Sequence, residues 1–356
     1  MNRTPSFDLA YLDKVIAEYR LPFLRELAMN DCRVIAFQTS TFTIITLEKD
    51  EFVFRRFGIC SFYFRMIRYL SRPRTNILTG DLGLNTLLSL AVRSFSNGHV
   101  IAWCRLTIWT ERNVGLARRL IRQIICPRLD QVIVNGDSGK EYIKSLGATK
   151  IEVFHQSSVS RKDFENLKNR GTTQGPLKLI FVGRLIPLKG LKEFLSVLQQ
   201  KRSQFEVTIV GDGSSRTELE YISNHFNLNI LFLGHKSRLE ILNLLNLHNV
   251  LLMPSLGDEW GLVVIEGMSQ GLPILGSIRA GAIEELAQLQ YIGPTFDPMN
   301  SASITNALNE LLTLSRQELK MIGDKNRKLI SDENITQEGM AVNVLNILKG
   351  FESGDN

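Results

Sequence analysis

Within the stretch DEWGLVVIEGMSQGLPILGS, residues 258–277, two carboxylates, Asp258 and Glu266, stand eight positions apart, and Glu259 follows the first directly. Gly261 lies between them, where an apolar run gives way to a helical pattern. A helix start leaves about four backbone N–H groups unpaired and carries partial positive charge, so it attracts anions. Carboxylates beside it can accept hydrogen bonds from hydroxyls. At a rise of 1.5 Å per residue, Glu266 falls about 6 to 8 Å along such a helix, roughly the reach from a phosphate to its ribose. A phosphate at a helix end, with polyol hydroxyls on carboxylates, is the chemistry of a nucleotide-sugar pocket. The plainer alternative is a helix N-terminus with ordinary acidic decoration.

A second set of residues, FVGRLIPLKG at 181–190, brings positive charge. A strand is expected to end at Gly183, Arg184 follows it, Pro187 suits a first helical turn, and Lys189 is expected to start the next helix. Arg offers a bidentate fork and Lys a point charge, both suited to a diphosphate, although a solvated surface pair would look the same in isolation. VTIVGDG at 207–213 reads as a strand running into a tight turn; Ser214, Ser215 and Arg216 do not complete the dinucleotide fingerprint, which argues against an oxidoreductase. No Asp-x-Asp occurs in the chain, and no His or Cys cluster has metal-ligand spacing. A departing diphosphate would then be stabilised by Arg184, Lys189 and the helix from Gly261 rather than by a cation, with no metal and no cofactor.

Short apolar runs positioned between helical stretches must carry these residues. Strands are expected at 33–37, 76–79, 99–103, 131–135 and 151–154, then at 178–183, 206–211, 230–233, 249–253 and 273–276, with helices filling gaps such as 138–146, 189–200, 236–246 and 261–270. Near-continuous apolar strands alternating with helices predict an α/β chain with buried parallel sheets. Its 356 residues suffice for two doubly wound domains, which would bury a ligand in a central cleft at the carboxyl ends of their strands. The polar segment 157–177 reads as the connection. The expected division is a domain at 1–160, a linker at 161–177, a nucleotide-sugar domain at 178–332, and a C-terminal helix within 333–356 returning toward the first domain.

These motifs resemble the retaining GT-B glycosyltransferases of family 4, the glycosyl transferases group 1. Arg184 and Lys189 are similar to that family's Arg and Lys on the donor diphosphate, and Gly211 to its Gly-x-Gly turn. His235 sits in the loop whose backbone meets the nucleobase. The family's acidic pattern is Glu-x7-Glu; here it reads Asp-x7-Glu. The resemblance implies that Asp258, or its neighbour Glu259, holds the sugar hydroxyls, that Glu266 holds the ribose, and that Gly183, Gly261, Leu262 and Val263 line the donor site. It is close over 130–290 and only outlined over 1–130, where EYRLPFLREL at 18–27 looks like an opening helix. Many members place a His in the first domain against the transferred sugar; Trp103 to Asn113 contains none, and Arg105 or Glu111 could stand there instead. His99 begins a strand and reads as structural.

With 44% hydrophobic and 22% charged residues the composition is that of a soluble globular chain, no apolar run reaches membrane-spanning length, and the acidic residues Asp8, Asp13 and Glu18 argue against a secretory signal. Cys32, Cys60, Cys104 and Cys126 form no CxxC and read as core thiols of a reducing cytoplasm. The net charge of +6 divides into +9 over residues 1–150 and −3 over the rest. Between 55 and 128 there are 13 basic residues against Asp81 and Glu111. Arg65, Arg68 and Arg72 recur at helical spacing among Phe62, Met66, Tyr69 and Leu70, and Arg118, Arg119 and Arg122 recur among Leu120, Ile121, Ile124 and Ile125. Such stripes lie on anionic lipid headgroups, or else the apolar sides are core and the arginines are solvated. No nucleic-acid fold signature accompanies the charge.

The expected activity is transfer of a sugar from a UDP- or GDP-linked donor, with retention, to a hydroxyl of a lipid-linked or surface glycan, on the cytoplasmic face of the cell membrane. An epimerase acting on sugar nucleotides and a non-catalytic partner subunit are the alternatives.

Overall fold

The computed structural model describes residues 5–48, 51–108, 110–111, 114–164 and 175–353. Most of the expected connecting segment lies outside these residues. In chain order the elements are β1 Phe7–Asp13, α1 Leu21–Met29, β2 Cys32–Gln38, β3 Thr43–Glu48, β4 Glu51–Arg56, α2 Ile59–Leu70, β5 Thr75–Thr79, α3 Leu84–Ser96, β6 Val100–Cys104, α4 Leu116–Ile125, β7 Gln131–Val134, α5 Asp137–Ser145 and β8 Ile151–Val153. There follow β9 Leu177–Val182, α6 Leu191–Leu198, β10 Phe205–Val210, α7 Arg216–His225, β11 Ile230–Gly234, α8 Arg238–Leu247, β12 Val250–Met253, α9 Leu262–Ser269, β13 Ile274–Ser277, α10 Gly281–Leu289, β14 Thr295–Phe296, α11 Ser301–Thr313, α12 Arg316–Asp332 and α13 Gln337–Ser353.

The chain divides into two compact units, one of residues 1–156 and 337–356, the other of 157–336. The first holds an eight-stranded sheet in the order β4-β3-β2-β1-β5-β6-β7-β8. Strands β1, β2 and β5 to β8 are parallel and apolar, as crossover strands covered on both faces must be. Ala10, Leu12, Phe37, Ile77 and Val132 pack on one face beneath α2, while Leu9, Tyr11, Leu78, Ile101 and Ile133 pack on the other against α1 and α13. Met340, Ala341, Val344, Leu345 and Leu348 of α13 join that second core, so the chain's last helix is part of its first unit.

The structure departs from the sequence expectation at the start of this sheet. β1 precedes the opening helix, and β3 and β4 form an antiparallel extension on β2. Helix α2 begins only at Ile59, so Arg72 lies just past its end; Phe62, Met66, Tyr69 and Leu70 are buried beneath it. Cys60 is exposed at the start of α2, whereas the other three thiols are buried.

The second unit has six parallel strands in the order β11-β10-β9-β12-β13-β14. Phe181, Phe194, Phe205 and Ile209 fill one side, and Ile180, Leu251, Val264, Ile265 and Met268 the other. Full burial of each such side chain contributes about 1.5–3 kcal/mol, so the sheet is a rigid base for the loops at its carboxyl edge. Among the described residues no helix is long and apolar enough to cross a membrane.

Candidate active site

In the second unit β9 leads through α6 to β10 on one side, while β12 sits on the other side of β9. Strand order reverses between β9 and β12, and the carboxyl end of such a pair is where open α/β sheets hold ligands. Gly183 ends β9. Arg184 follows and is exposed. Lys189 does not start a helix: it closes a one-turn 3-10 helix, Pro187–Lys189, and α6 begins at Leu191 after Gly190. Gly190 has φ +65°, and a Cβ there would lie 2.0 Å from the Pro254 carbonyl oxygen. This left-handed residue ends the turn and lets the β9 loop press on the chain leaving β12. Leu256 N–H donates to the Leu188 carbonyl at 2.9 Å, joining the same two loops.

Lys189 Nζ then reaches the carboxylate of Asp258, a close ion pair whose side chains are only 17% and 14% exposed. The Ser255 hydroxyl donates toward the same Asp258 oxygen at 3.5 Å. Asp258 N–H donates to the Arg279 carbonyl at 3.0 Å and Ala282 N–H to the Trp260 carbonyl at 2.8 Å, which clamps this segment to the loop after β13. Glu259, by contrast, is exposed. The backbone places Asp258, not Glu259, against Lys189.

Three residues on, Gly261 has φ +92° and forms the N-cap of α9, with no side chain capping the helix. A Cβ at Gly261 would lie 3.0 Å from Met253 Cε, and one at Gly267 would lie 2.7 Å from Leu251 Cδ2. These two glycines hold α9 tightly on β12. Leu262 and Val263, both partly buried, therefore present the helix's positive end beside the Lys189–Asp258 pair. Glu266 lies one turn further along. It accepts a hydrogen bond from the Ser158 hydroxyl at 2.7 Å. Burial pushes its carboxyl above the usual carboxylate range, against the opposing pull of that hydrogen bond and of Arg238. Arg238 in turn donates to the Ser158 carbonyl at 2.7 Å and to Asp163 at 2.8 Å. Ser158, Asp163 and Arg238 are the residues that sequence reasoning missed. They lie outside any motif; the polar cast of 157–163 hinted at Ser158 and Asp163, and nothing pointed to Arg238.

The neighbouring turn is equally constrained. Gly211 has φ +129°, and a Cβ there would stand 1.9 Å from the Gly183 carbonyl oxygen. Leu185 N–H donates to the Asp212 carbonyl at 2.9 Å, and Gly211 N–H to that of Gly234 at 2.8 Å, so the ends of β9, β10 and β11 run side by side. His235 follows Gly234 and is exposed. Gly183, Arg184, Lys189, Gly211, His235, Asp258, Gly261, Leu262 and Val263 thus all occupy one sheet edge. Among the described residues no group of three His, Cys, Asp or Glu could hold a metal ion.

In the first unit Arg105 and Glu111 do not share a site. Arg105 follows β6 and reaches Asp13 at 3.4 Å and the Gly80 carbonyl at 3.1 Å, which gathers the carboxyl ends of β1, β5 and β6. Asp13 is buried and also accepts from the Tyr11 hydroxyl at 3.0 Å. Sequence reasoning took Asp13 only as a charge near the start of the chain. Glu111 is instead paired with Arg122, which also donates to the Tyr142 hydroxyl at 2.9 Å. That pairing draws Arg122 inward, which is not the alternative in which the apolar side of α4 is core and its arginines are solvated. Arg122 and Ile125 are buried, while Leu116, Leu120, Ile121 and Ile124 are exposed beside Arg118 and Arg119. His99 hydrogen-bonds Asn76 at 3.3 Å and stacks on Phe351 of α13, a structural role.

Comparison with known proteins agrees with this architecture. Residues 163–329 match the family model of the glycosyl transferases group 1. Over 171 residues the chain is 32% identical to the amylovoran biosynthesis glycosyltransferase AmsK of Erwinia amylovora, covering 44% of this chain and 40% of the relative. Over 162 residues it is 30% identical to the sulfoquinovosyl transferase SQD2 of Arabidopsis thaliana, covering 45% and 31%. The chain thus spans less than half the length of either relative. A glycosyltransferase structure from Rickettsia africae superposes with a TM-score of 0.76 at 14% identity, covering 96% of this chain and 98% of that one. Anabaena HepE, in complex with UDP and glucose, superposes with a TM-score of 0.71 at 14% identity, covering 97% and 100%. The chain therefore has the GT-B fold, and over residues 163–329 it is similar to the glycosyl transferases group 1.

Proposed function

We propose that this protein is a retaining, metal-independent glycosyltransferase of the family 4 type. In this reading it moves a sugar from a UDP- or GDP-linked donor to a hydroxyl of a lipid-linked or surface glycan. The observation that carries the reading is the meeting of Lys189 and Asp258 at the β9–β12 switch point, directly beside the uncapped start of α9. Positive charge for a diphosphate and a carboxylate for sugar hydroxyls are adjacent there, and Glu266 stands a turn further on for the ribose.

The donor would exchange partners with the resting pair. Its diphosphate takes Lys189, Arg184 and the N–H groups at Leu262 and Val263, and the sugar hydroxyls take Asp258. As the acceptor oxygen bonds to the anomeric carbon, the bond from that carbon to the phosphate oxygen breaks. The negative charge that develops on the leaving diphosphate is stabilised by these fixed positive groups. The departing phosphate oxygen takes the acceptor proton, so the nucleoside diphosphate leaves with it and no protein base is required. The UDP and glucose held by the structurally similar HepE support a uridine donor. The similarity to AmsK supports an exopolysaccharide acceptor.

Exposed Leu116, Leu120 and Ile124 beside Arg118 and Arg119 support peripheral contact with an anionic bilayer. Thermal-shift titration with UDP, GDP, ADP and their sugars tests the donor reading. One nucleotide series should stabilise the protein, and Arg184→Ala or Lys189→Ala should abolish the effect. Stabilisation that persists in both variants would refute the diphosphate assignment. Sedimentation with phosphatidylglycerol vesicles tests the membrane reading, which fails if Leu120→Ser/Ile124→Ser binds as well as the parent.

A further inference from the structure

The antiparallel extension of the first sheet does more than lengthen it. α2 covers β2 and its inner neighbours, while β3 and β4 run out beyond that cover. Registers pair Phe37 with Ile44 and Ile44 with Arg55, and Ile35 with Thr46, so these side chains share the sheet face on which α2 packs. Between that overhang and α2 lies a cavity of about 530 Å³, within the range of small-molecule sites. Its floor is Ile35, Phe37, Ile44 and Phe57, and its walls carry Arg55, Arg65, Arg68 and Arg72.

Three of the four arginines are not balanced by acids among the described residues. Arg55 pairs with Glu48 at 3.0 Å, but no carboxylate pairs with Arg65, Arg68 or Arg72 among the described residues. Arg65 lies 4.7 Å from the Phe57 ring centroid and Arg72 4.7 Å from that of Tyr69. A guanidinium stacked on a ring is held by its face, which leaves its N–H edge for an anion. Tyr69 also lines the cavity and is buried, and its hydroxyl has no hydrogen-bond partner among the described residues. A merely solvated arginine face would not need an apolar floor, and a merely apolar groove would not gather three uncompensated cations. Phe64, at the rim on α2, is 66% exposed and continues the apolar surface outward.

We propose that the cavity between the β3–β4 hairpin and α2 binds an amphiphile that carries a phosphate on an apolar chain. The phosphate engages Arg65, Arg68 and Arg72, and the first part of the chain covers Ile35, Ile44 and Phe57. A free phosphate leaves that floor wet, and a neutral lipid leaves the guanidinium groups unused. The same chemistry is offered by a membrane phospholipid and by the phosphate of a carrier lipid. The site lies wholly in the first unit, so its failure would leave donor binding by the second unit untouched.

Calorimetric titration of the full chain tests it, with dihexanoyl phosphatidic acid and geranyl monophosphate as probes below their micelle concentrations. Inorganic phosphate and dihexanoyl phosphatidylcholine are the controls. At least one phosphate-bearing amphiphile should bind at least tenfold more tightly than either control. Arg65→Gln/Arg68→Gln should weaken it at least tenfold, as should Thr46→Trp, which fills the cavity. Melting temperatures identify any variant that has failed to fold. Leu239→Ser/Leu247→Ser on α8, two exposed apolar residues of the second unit, should leave the affinity unchanged, which separates a pocket from general adsorption. Tighter binding of geranyl monophosphate assigns the carrier lipid, and tighter binding of phosphatidic acid the phospholipid; either supports the site. Equal binding of inorganic phosphate, unaltered binding in the arginine variant, or no saturable binding of either amphiphile would overturn it.

Discussion

Replacing Asp258 by Asn should separate nucleotide binding from sugar binding, in a direction that a purely structural role for the residue would not produce. Lys189 is held by Asp258, and the two side chains are 17% and 14% exposed. A hydrogen bond to a charged group contributes about 1.5–3 kcal/mol, and a pair this close to solvent belongs in the lower half of that range. A nucleoside diphosphate must take Lys189 from Asp258 and offers Asp258 no hydroxyl in return. Asp258→Asn removes that competition. At about 1.4 kcal/mol per tenfold change, UDP or GDP should bind the variant about ten- to fortyfold more tightly than the parent. The nucleotide sugar should gain nothing, because its hydroxyls lose their carboxylate, and turnover should fall by a factor of 100 or more. Calorimetry with the nucleotide and with the nucleotide sugar, on both proteins, measures the two effects separately. Equal weakening of both ligands, or no change in either, would refute the partner exchange.

Three further outcomes follow from the geometry. Glu266 has a carboxyl raised above its usual value by burial, so its ionised form is disfavoured in the folded state. Its contribution to stability is fully present below the usual Glu pKa and is lost as pH rises through the raised value; Glu266→Gln should therefore flatten the fall in melting temperature across that window while weakening nucleotide binding. Gly190→Ala forces a Cβ to within 2.0 Å of the Pro254 carbonyl oxygen at φ +65°, and should cost about 1–3 kcal/mol in urea unfolding. Arg122→Met leaves Glu111 uncompensated in a buried setting and should cost about 3–5 kcal/mol, with most of it recovered in Arg122→Met/Glu111→Leu.

The second unit was legible because most of its strands are buried and read as continuous apolar runs, three of which, β9, β10 and β11, run into a glycine. Gly183, Gly211 and Gly261 mark the ends of β9 and β10 and the start of α9, and the eight-residue spacing of Asp258 and Glu266 places them on one loop and one helix. Sequence alone put Asp258 at the eight-residue spacing but left Glu259 as the alternative; the bridge to Ala280 and the reach of Lys189 set Asp258, not Glu259, against the lysine in the structure. Lys189 was expected to begin a helix because a left-handed Gly190 cannot be told from a helical glycine by pattern.

The first unit was less legible for other reasons. Thr43–Glu48 and Glu51–Arg56 form a half-exposed hairpin whose aromatic and basic residues run on into α2 without a compositional break. In α4 the periodicity revealed two stripes but not which one faces inward. Arg122 is drawn in by Glu111 and Tyr142, partners 11 and 20 positions away that no helical period encodes.

The central claim is that Arg184, Lys189 and the start of α9 together grip a diphosphate without a cation. The most direct measurement is calorimetric titration of the preferred nucleoside diphosphate in excess EDTA, on the parent and on Arg184→Ala/Lys189→Ala. The account predicts chelator-insensitive binding by the parent and a loss of about 100-fold or more in the variant, since each charged contact is worth about 1.5–3 kcal/mol. Binding that disappears with EDTA and returns with Mn²⁺, or an affinity unchanged in the double variant, would contradict it.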